Sequence, residues 1–382
     1  MLKPNPFTPK SGLEPKVFTN REEEIEFFLK RVKEASTGSI NHYIINGEWG
    51  SGKTSLLRFF KRLAQEKRYT ACYFLAKEFP EESSDIEVSI HIIQSIIRNL
   101  PYKLSEKGSK FYKLIKGIGI QVLGSGFNLS FDIDKNRQID SQIFLMDSML
   151  NIWSDIKKQT DLLIVLIDDV QNYSKVQRLF TTLKNVLSDE RIINQTKILF
   201  ILSSTIEGWK PFMQTNHPIG RFFIPRTELN NFSRNDTIYL IDSLLKGTSV
   251  SFSNSVKEKI YKYTNGHLFQ IHSLGSTLYD DQKSGKVTDK EWEKGFYEGL
   301  LYLGNTVYDG IVQNLSNNEI EIILEIDPFK KLRIKNFEKL RIKGIRVYFT
   351  RLIEKRILES IRYGEYAVRD KLLIEYIKML YK

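Results

Sequence analysis

The sequence predicts an α/β protein whose core is a parallel sheet wrapped by helices and organised round a glycine-rich loop. Three observations predict it. The apolar runs "HYII", "DLLIVLI" and "KILFILS" alternate with amphipathic helical stretches, as in a sheet covered on both faces. After the first run comes "GEWGSGKT", Gly47 to Thr54, spaced as G-x-x-x-x-G-K-[ST]. The second run ends on adjacent carboxylates, Asp168 and Asp169.

The elements follow in order. Residues 1 to about 20 are rich in Pro, Lys and Thr and read as an extended lead-in. "FTNREEEIEFFLKRVKEA" reads as a helix with Thr19 or Asn20 as cap and acidic residues in its first turn. "KTSLLRFFKRLAQE" predicts the helix after the loop, "YTACYFLA" a strand, and "DIEVSIHIIQSIIRNL" a helix stopped by Pro101. Between about 115 and 135, Phe127, Leu129, Phe131 and Ile133 alternate after Gly124-Ser125-Gly126, which predicts a β-hairpin inserted in the core. "SQIFLMDSMLNIWSDIKK" is a further helix. Residues from about 228 to 300 read as helical throughout. The expected domains are a core over 1–227, a helical lid over 228–304 and a third domain over 305–382.

The chemistry sits at the strand ends. The loop residues Gly47, Glu48, Trp49, Gly50, Ser51, Gly52, Lys53, Thr54 and Ser55 are expected to wrap the phosphates of ATP. Backbone N–H groups line such a loop, Lys53 reaches the β- and γ-phosphates, and the Thr54 hydroxyl takes Mg²⁺. Asp168 is expected to hold the same Mg²⁺ through water, and Asp169 to orient the attacking water. After the third apolar run stand Ser203, Ser204 and Thr205; a hydroxyl there can sense the γ-phosphate, Ser204 before Ser203. Arg221 could offer its guanidinium to a γ-phosphate in trans, which implies oligomerisation. His267, at a turn before a helix, could meet a phosphate.

Composition excludes other classes. One cysteine, Cys72, rules out an internal disulfide framework, and with five scattered histidines it offers no metal-ligand spacing. No stretch has the length and hydropathy of a membrane helix or a signal peptide's apolar segment, so a cytoplasmic location is expected. The net charge of +11 suggests an anionic partner.

Taken in order, "FTNREEEIEFF", "GEWGSGKTS", "IVLIDDVQ", "ILFILSST" and "NGHLFQIHSL" resemble the origin-recognition-like AAA+ ATPases and the related archaeal STAND-type P-loop ATPases. The resemblance implies a five-stranded core, a helical lid and a C-terminal winged helix. It also implies that Val17, Phe18 and Arg21 lie by the adenine. The chain departs from the family pattern in having Leu268 after the Gly-His pair, where proline is frequent, and no arginine in the following helix.

The C-terminal order supports the last of these expectations. "NFEKLRIKG" reads as a short helix, "IRVYFTRLIEKRIL" as a second with Val347, Leu352 and Ile353 inward, and "LESIRYGEYAVRD" as two strands. That order resembles a winged helix-turn-helix, which places its second helix in the major groove of double-stranded DNA. From Lys330 to Arg356 there are eleven Lys or Arg against two Glu. Arg346, Arg351, Lys355 and Arg356 are the expected DNA contacts. Together these readings predict an ATP-hydrolysing switch that couples nucleotide state to DNA binding or assembly. The alternative is a slow or non-hydrolysing adaptor whose winged helix docks a protein partner.

Overall fold

The computed structural model describes residues 4–9, 18–101, 109–117, 121–123, 130–132, 139–173, 175, 179–214 and 219–382. The chain forms two compact units, Arg21–Asn230 and Asn231–Lys382, with N-terminal residues belonging to the second.

Among the described residues the first unit has seven strands: β1 Tyr43–Gly47, β2 Thr70–Leu75, β3 Gln121–Leu123, β4 Ser130–Asp132, β5 Leu163–Asp168, β6 Ile198–Ser204 and β7 Ile224–Leu229. Five of them make one parallel sheet in the order β2-β5-β6-β1-β7. Every residue of β5 and β6 is buried, because helices cover both faces of the sheet. Each Val, Leu or Ile so buried stabilises the unit by about 1.5–3 kcal/mol. Edge strand β7, which tolerates Pro225 at its margin, was hidden in the sequence: "IPRTEL" lacks the apolar run of its neighbours.

The first helix spans Glu22–Ser36 and its N-cap position is Arg21, not Thr19 or Asn20. Asn20 instead takes a left-handed conformation, with φ 53°, that turns the chain before the helix. Of the expected hairpin, the described part is β3 paired antiparallel with β4, Val122 opposite Phe131. Its turn and the residues Phe127, Leu129 and Ile133 lie outside the described residues.

In the second unit one apolar cluster runs from Phe7 through Ile271, Trp292 and Leu303 to Leu352 and Tyr376. The helix Asp289–Leu303 passes directly into a π-turn, Gly304–Tyr308, so residues either side of 304 share this core. Two short strands, β8 Ser251–Phe252 and β9 Lys286–Val287, pair in parallel. The C-terminal part then runs helix Asn317–Leu324, a 3₁₀ segment Ile334–Leu340, helix Ile345–Glu354, strands β10 Leu358–Arg362 and β11 Glu365–Val368, and helix Lys371–Tyr381. Leu332 adds a third rung to the hairpin through paired backbone bonds with Tyr366 of 2.8 and 2.9 Å.

Candidate nucleotide site and basic face

Register assembles the site. In the β5–β6 pair, Ile167 stands opposite Leu202, so the next residues, Asp168 and Ser203, emerge side by side at the carboxyl end of the sheet. The Ser203 hydroxyl donates to Asp168 Oδ1, and the Tyr73 hydroxyl donates to Asp168 Oδ2 at 2.9 Å. Asp168 is fully buried. Two hydroxyl donors leave part of its lone-pair capacity for water. The backbone N–H of Asp169 also donates to Ser203 Oγ, at 3.0 Å. Burial and the neighbouring Asp168 charge raise the Asp169 pKa; the hydrogen bond from Gln171 and the Lys53 charge oppose them.

The loop between β1 and the helix Lys53–Glu66 has the shape its glycines permit. Gly50 and Gly52 take φ of 76° and 95°, left-handed values that a side chain disfavours. Lys53 is buried, and its ammonium donates to the carbonyls of Gly47 and Glu48, both at 3.0 Å. Burial lowers its pKa, against the attraction of Asp169, Asp168 and Glu48. Thr54 and Ser55 are half-buried on the helix's first turn and Trp49 stands exposed on the loop. Arg21 braces the loop from behind, donating to Ser51 O at 3.3 Å and to Asn230 O at 3.4 Å.

Three buried side-chain atoms here have no protein partner: Asn46 Oδ1, Ser51 Oγ and Ser204 Oγ. Asn46 and Ser204 are paired across β1 and β6. Buried polar atoms are almost always bonded, so orphans gathered at the loop suit a polar ligand that completes them.

Residues 18–274 match a family described as an ATPase domain predominantly from Archaea. The chain belongs to this family. It is an ATP-binding P-loop ATPase with an AAA+ fold. Its fold is similar to that of the Walker-type ATPase PABY2304 of Pyrococcus abyssi, at TM-score 0.61 and 12% identity, covering 94% of this chain and 96% of that one. It is similar to the Aeropyrum pernix ORC2 protein in its ADPNP–ADP complexes, at TM-score 0.63 and 12% identity, covering 97% and 96%. The Aeropyrum pernix ORC1 protein, solved in complex with DNA, is similar at TM-score 0.50 and 11% identity, covering 98% and 95%. No curated protein sequence matches the chain.

Mg²⁺ fits this site in a particular way. Among the described residues no group of three His, Cys, Asp or Glu could hold a metal on its own. Thr54 and Asp168 are the donors the sequence reading offers, so nucleotide phosphates and water would have to supply the rest, as is usual for Mg²⁺.

The remaining expected residues are placed differently. Arg221 lies on the short helix Ile219–Phe222, and its side chain is not among those described. Val17 falls outside the described residues. Phe18 and His267 belong to the second unit, His267 at the N-cap position of helix Leu268–Asp281. Among the described residues no helix is long and apolar enough to cross a membrane. Cys72 is a buried free thiol, and burial pushes its pKa up to about 12. Ser203 was not ranked ahead of Ser204 because a strand buried on both faces gives no sign of which side each residue takes, and Tyr73 was missed because only pairing of β2 with β5 brings it to Asp168.

The basic segment is reorganised by its own carboxylates. Lys355 does not face outward: its ammonium donates to Glu319, 1% exposed, at 2.8 Å and to Asn314 O at 2.7 Å. Arg333 and Arg362 both pair with buried Glu365, Lys339 with Glu325, and Lys330 with Asp327. Arg341, Lys343, Arg346 and Arg351 are exposed and take part in no ion pair among the described residues. Arg351 lies over the Tyr348 ring at 5.5 Å. Arg356 is exposed with φ 60° at the turn after the helix. Val347, expected inward, is 54% exposed; Leu352 is buried as expected, and Phe349 fills the core beside it. The helical period gives the reason: Phe349, Leu352 and Ile353 stand at i, i+3 and i+4 on the inner face, and Val347, two residues before Phe349, falls on the opposite side.

Proposed function

We propose that this ATPase is a nucleotide-driven switch whose turnover is coupled to contact with double-stranded DNA through the C-terminal basic face. The observation that carries the ATPase half is the meeting of Lys53, Asp168, Asp169 and Ser203 at one end of the parallel sheet. Lys53 releases the Gly47 and Glu48 carbonyls and takes the β- and γ-phosphates, where its charge offsets the charge that builds up in transfer. Thr54 and Asp168 would hold Mg²⁺, which when bound neutralises phosphate charge. Asp169 orients a water for attack on the γ-phosphorus and accepts its proton. Ser203 fixes both aspartates, and Ser204 senses the γ-phosphate end. Arg21 positions the loop, and Arg221 acts from a neighbouring copy.

The DNA half rests on Arg341, Lys343, Arg346 and Arg351. In this reading residues 228–304 are the lid and 305–382 a winged helix, with Ile345–Glu354 as the groove-facing helix and β10–β11 as the wing. The DNA complex of the similar ORC1 protein lends this support. The lone buried thiol suits a cytoplasmic protein. Steady-state ATP turnover with and without duplex DNA, at two salt concentrations and with Lys53→Ala as blank, tests the whole. DNA stimulation at low salt that Lys53→Ala abolishes is the expected result. Turnover indifferent to DNA, with no duplex binding at low salt, would remove the DNA half.

A further inference from the structure

We infer that Gln171 is a positioning residue that ties the Asp169 carboxylate to the end of β6. This rests on the reading of Asp169 as the group that orients the attacking water. Asp169 leaves β5 with φ 53°, a conformation sparsely used outside glycine, and its side chain needs outside support to hold one direction. Gln171, in the 3₁₀ turn Val170–Tyr173, supplies it: Nε2 donates to Asp169 Oδ1 at 3.0 Å. The same amide accepts, through Oε1, the backbone N–H of Thr205 at 3.3 Å. Thr205 follows Ser204 directly and caps the helix Ile206–Met213, its Oγ1 accepting from Gly208 N at 3.0 Å.

An amide is what this bridge requires. It donates to a carboxylate at one end and accepts from an N–H at the other; a glutamate keeps the acceptor and loses the donor, and a methionine loses both. The neighbouring helix is shaped for it. A Cβ on Gly208 would lie 2.5 Å from Gln171 Cβ and 2.7 Å from Thr205 Oγ1, so glycine there allows the close approach. The turn is pinned on its other side as well, by Asn172 Nδ2 donating to Ala76 O at 2.9 Å. A displacement at the γ-phosphate end of β6 therefore reaches Asp169 through one side chain.

The experiment compares Gln171→Met, Gln171→Glu and Gly208→Ala with Asp169→Asn and the Asp169→Asn/Gln171→Met double variant. Turnover, ATP KM, affinity for a non-hydrolysable ATP analogue and Tm are measured for each. Loss of a hydrogen bond to a charged group predicts a fall in kcat of about ten- to a hundredfold for both Gln171 variants. KM, analogue affinity and Tm should stay near wild type. Gly208→Ala should reproduce the kcat loss with Gln171 intact. In the Asp169→Asn background Gln171→Met should cost nothing further, because it acts through that carboxylate. Wild-type kcat in Gln171→Met beside an inactive Asp169→Asn overturns the inference, as does a fully additive double variant. Wild-type turnover in Asp169→Asn would instead remove the reading of Asp169 on which it stands.

Discussion

The carboxyl end of the parallel sheet and the C-terminal basic segment both gather charge, and they treat it in opposite ways. At the sheet end a few charges are buried close together, and backbone and hydroxyl groups bond to them. In the basic segment charge is abundant and exposed, yet much of it is neutralised by the unit's own carboxylates: Lys355 by Glu319, Arg333 and Arg362 by Glu365. The lesson is that a count of basic residues overstates the face offered to a polyanion. The two regions should respond differently to substitution.

The largest effect is expected at the sheet end. Lys53→Ala should reduce ATP turnover by about a hundred- to a thousandfold, as loss of a group aimed at developing charge does. Its Tm should stay level or rise, since burial disfavours the ammonium it removes. A large drop in Tm with turnover retained would make Lys53 a structural residue.

The next contrast lies inside the basic segment. Lys355→Ala strands a carboxylate that is 1% exposed, and should cost about 1–3 kcal/mol of stability, toward the lower end because Lys355 is itself partly exposed. Thermal unfolding reads it, and duplex affinity of the folded variant should hardly move. Arg346→Ala and Arg351→Ala should do the reverse: each weakens duplex binding and lowers the salt slope by about one, with Tm unchanged. Equal losses of affinity at all three positions would erase the distinction drawn between paired and unpaired cations.

The wing adds a pH dependence. Hydrogen bonds from Arg362 and Arg333 hold the Glu365 pKa down at about 2, against an ordinary 4.5. The stabilisation from this depressed pKa is present above pH 4.5 and is lost as pH falls toward about 2. Tm measured over that window should fall more steeply for the wild type than for Glu365→Gln; parallel curves would show that the two arginines contribute nothing through this carboxylate. The smallest effect belongs to Val347. Val347→Ala should stay within about 0.5 kcal/mol of wild type, whereas Leu352→Ala on the same helix should lose about 2–5 kcal/mol.

The phosphate loop and the aspartate pair were legible in the sequence because each is local. The loop glycines and lysine lie within one short stretch, Gly47 to Lys53, and an all-apolar run marks β5 without ambiguity. The parallel sheet was legible for the same reason. Edge strand β7 was not, because only pairing to β1 distinguishes "IPRTEL" from a loop. The outward turn of Val347 was legible in principle, since Phe349, Leu352 and Ile353 mark the inner face at i, i+3 and i+4 and Val347 falls outside it.

By itself, then, the sequence determined the α/β core, the nucleotide loop, the carboxylates at the strand end and the basic character of the C-terminal segment. These depend on short-range periodicity and on residue chemistry at fixed spacing. Only the tertiary structure decided that Ser203 and Tyr73 hold Asp168, that Gln171 reaches both Asp169 and Thr205, and that Lys355 turns inward to Glu319. Apart from the short step from Gln171 to Asp169, each of those is a contact between residues far apart in the chain, fixed by strand register or by helix packing, and neither leaves a mark on the local pattern of residues.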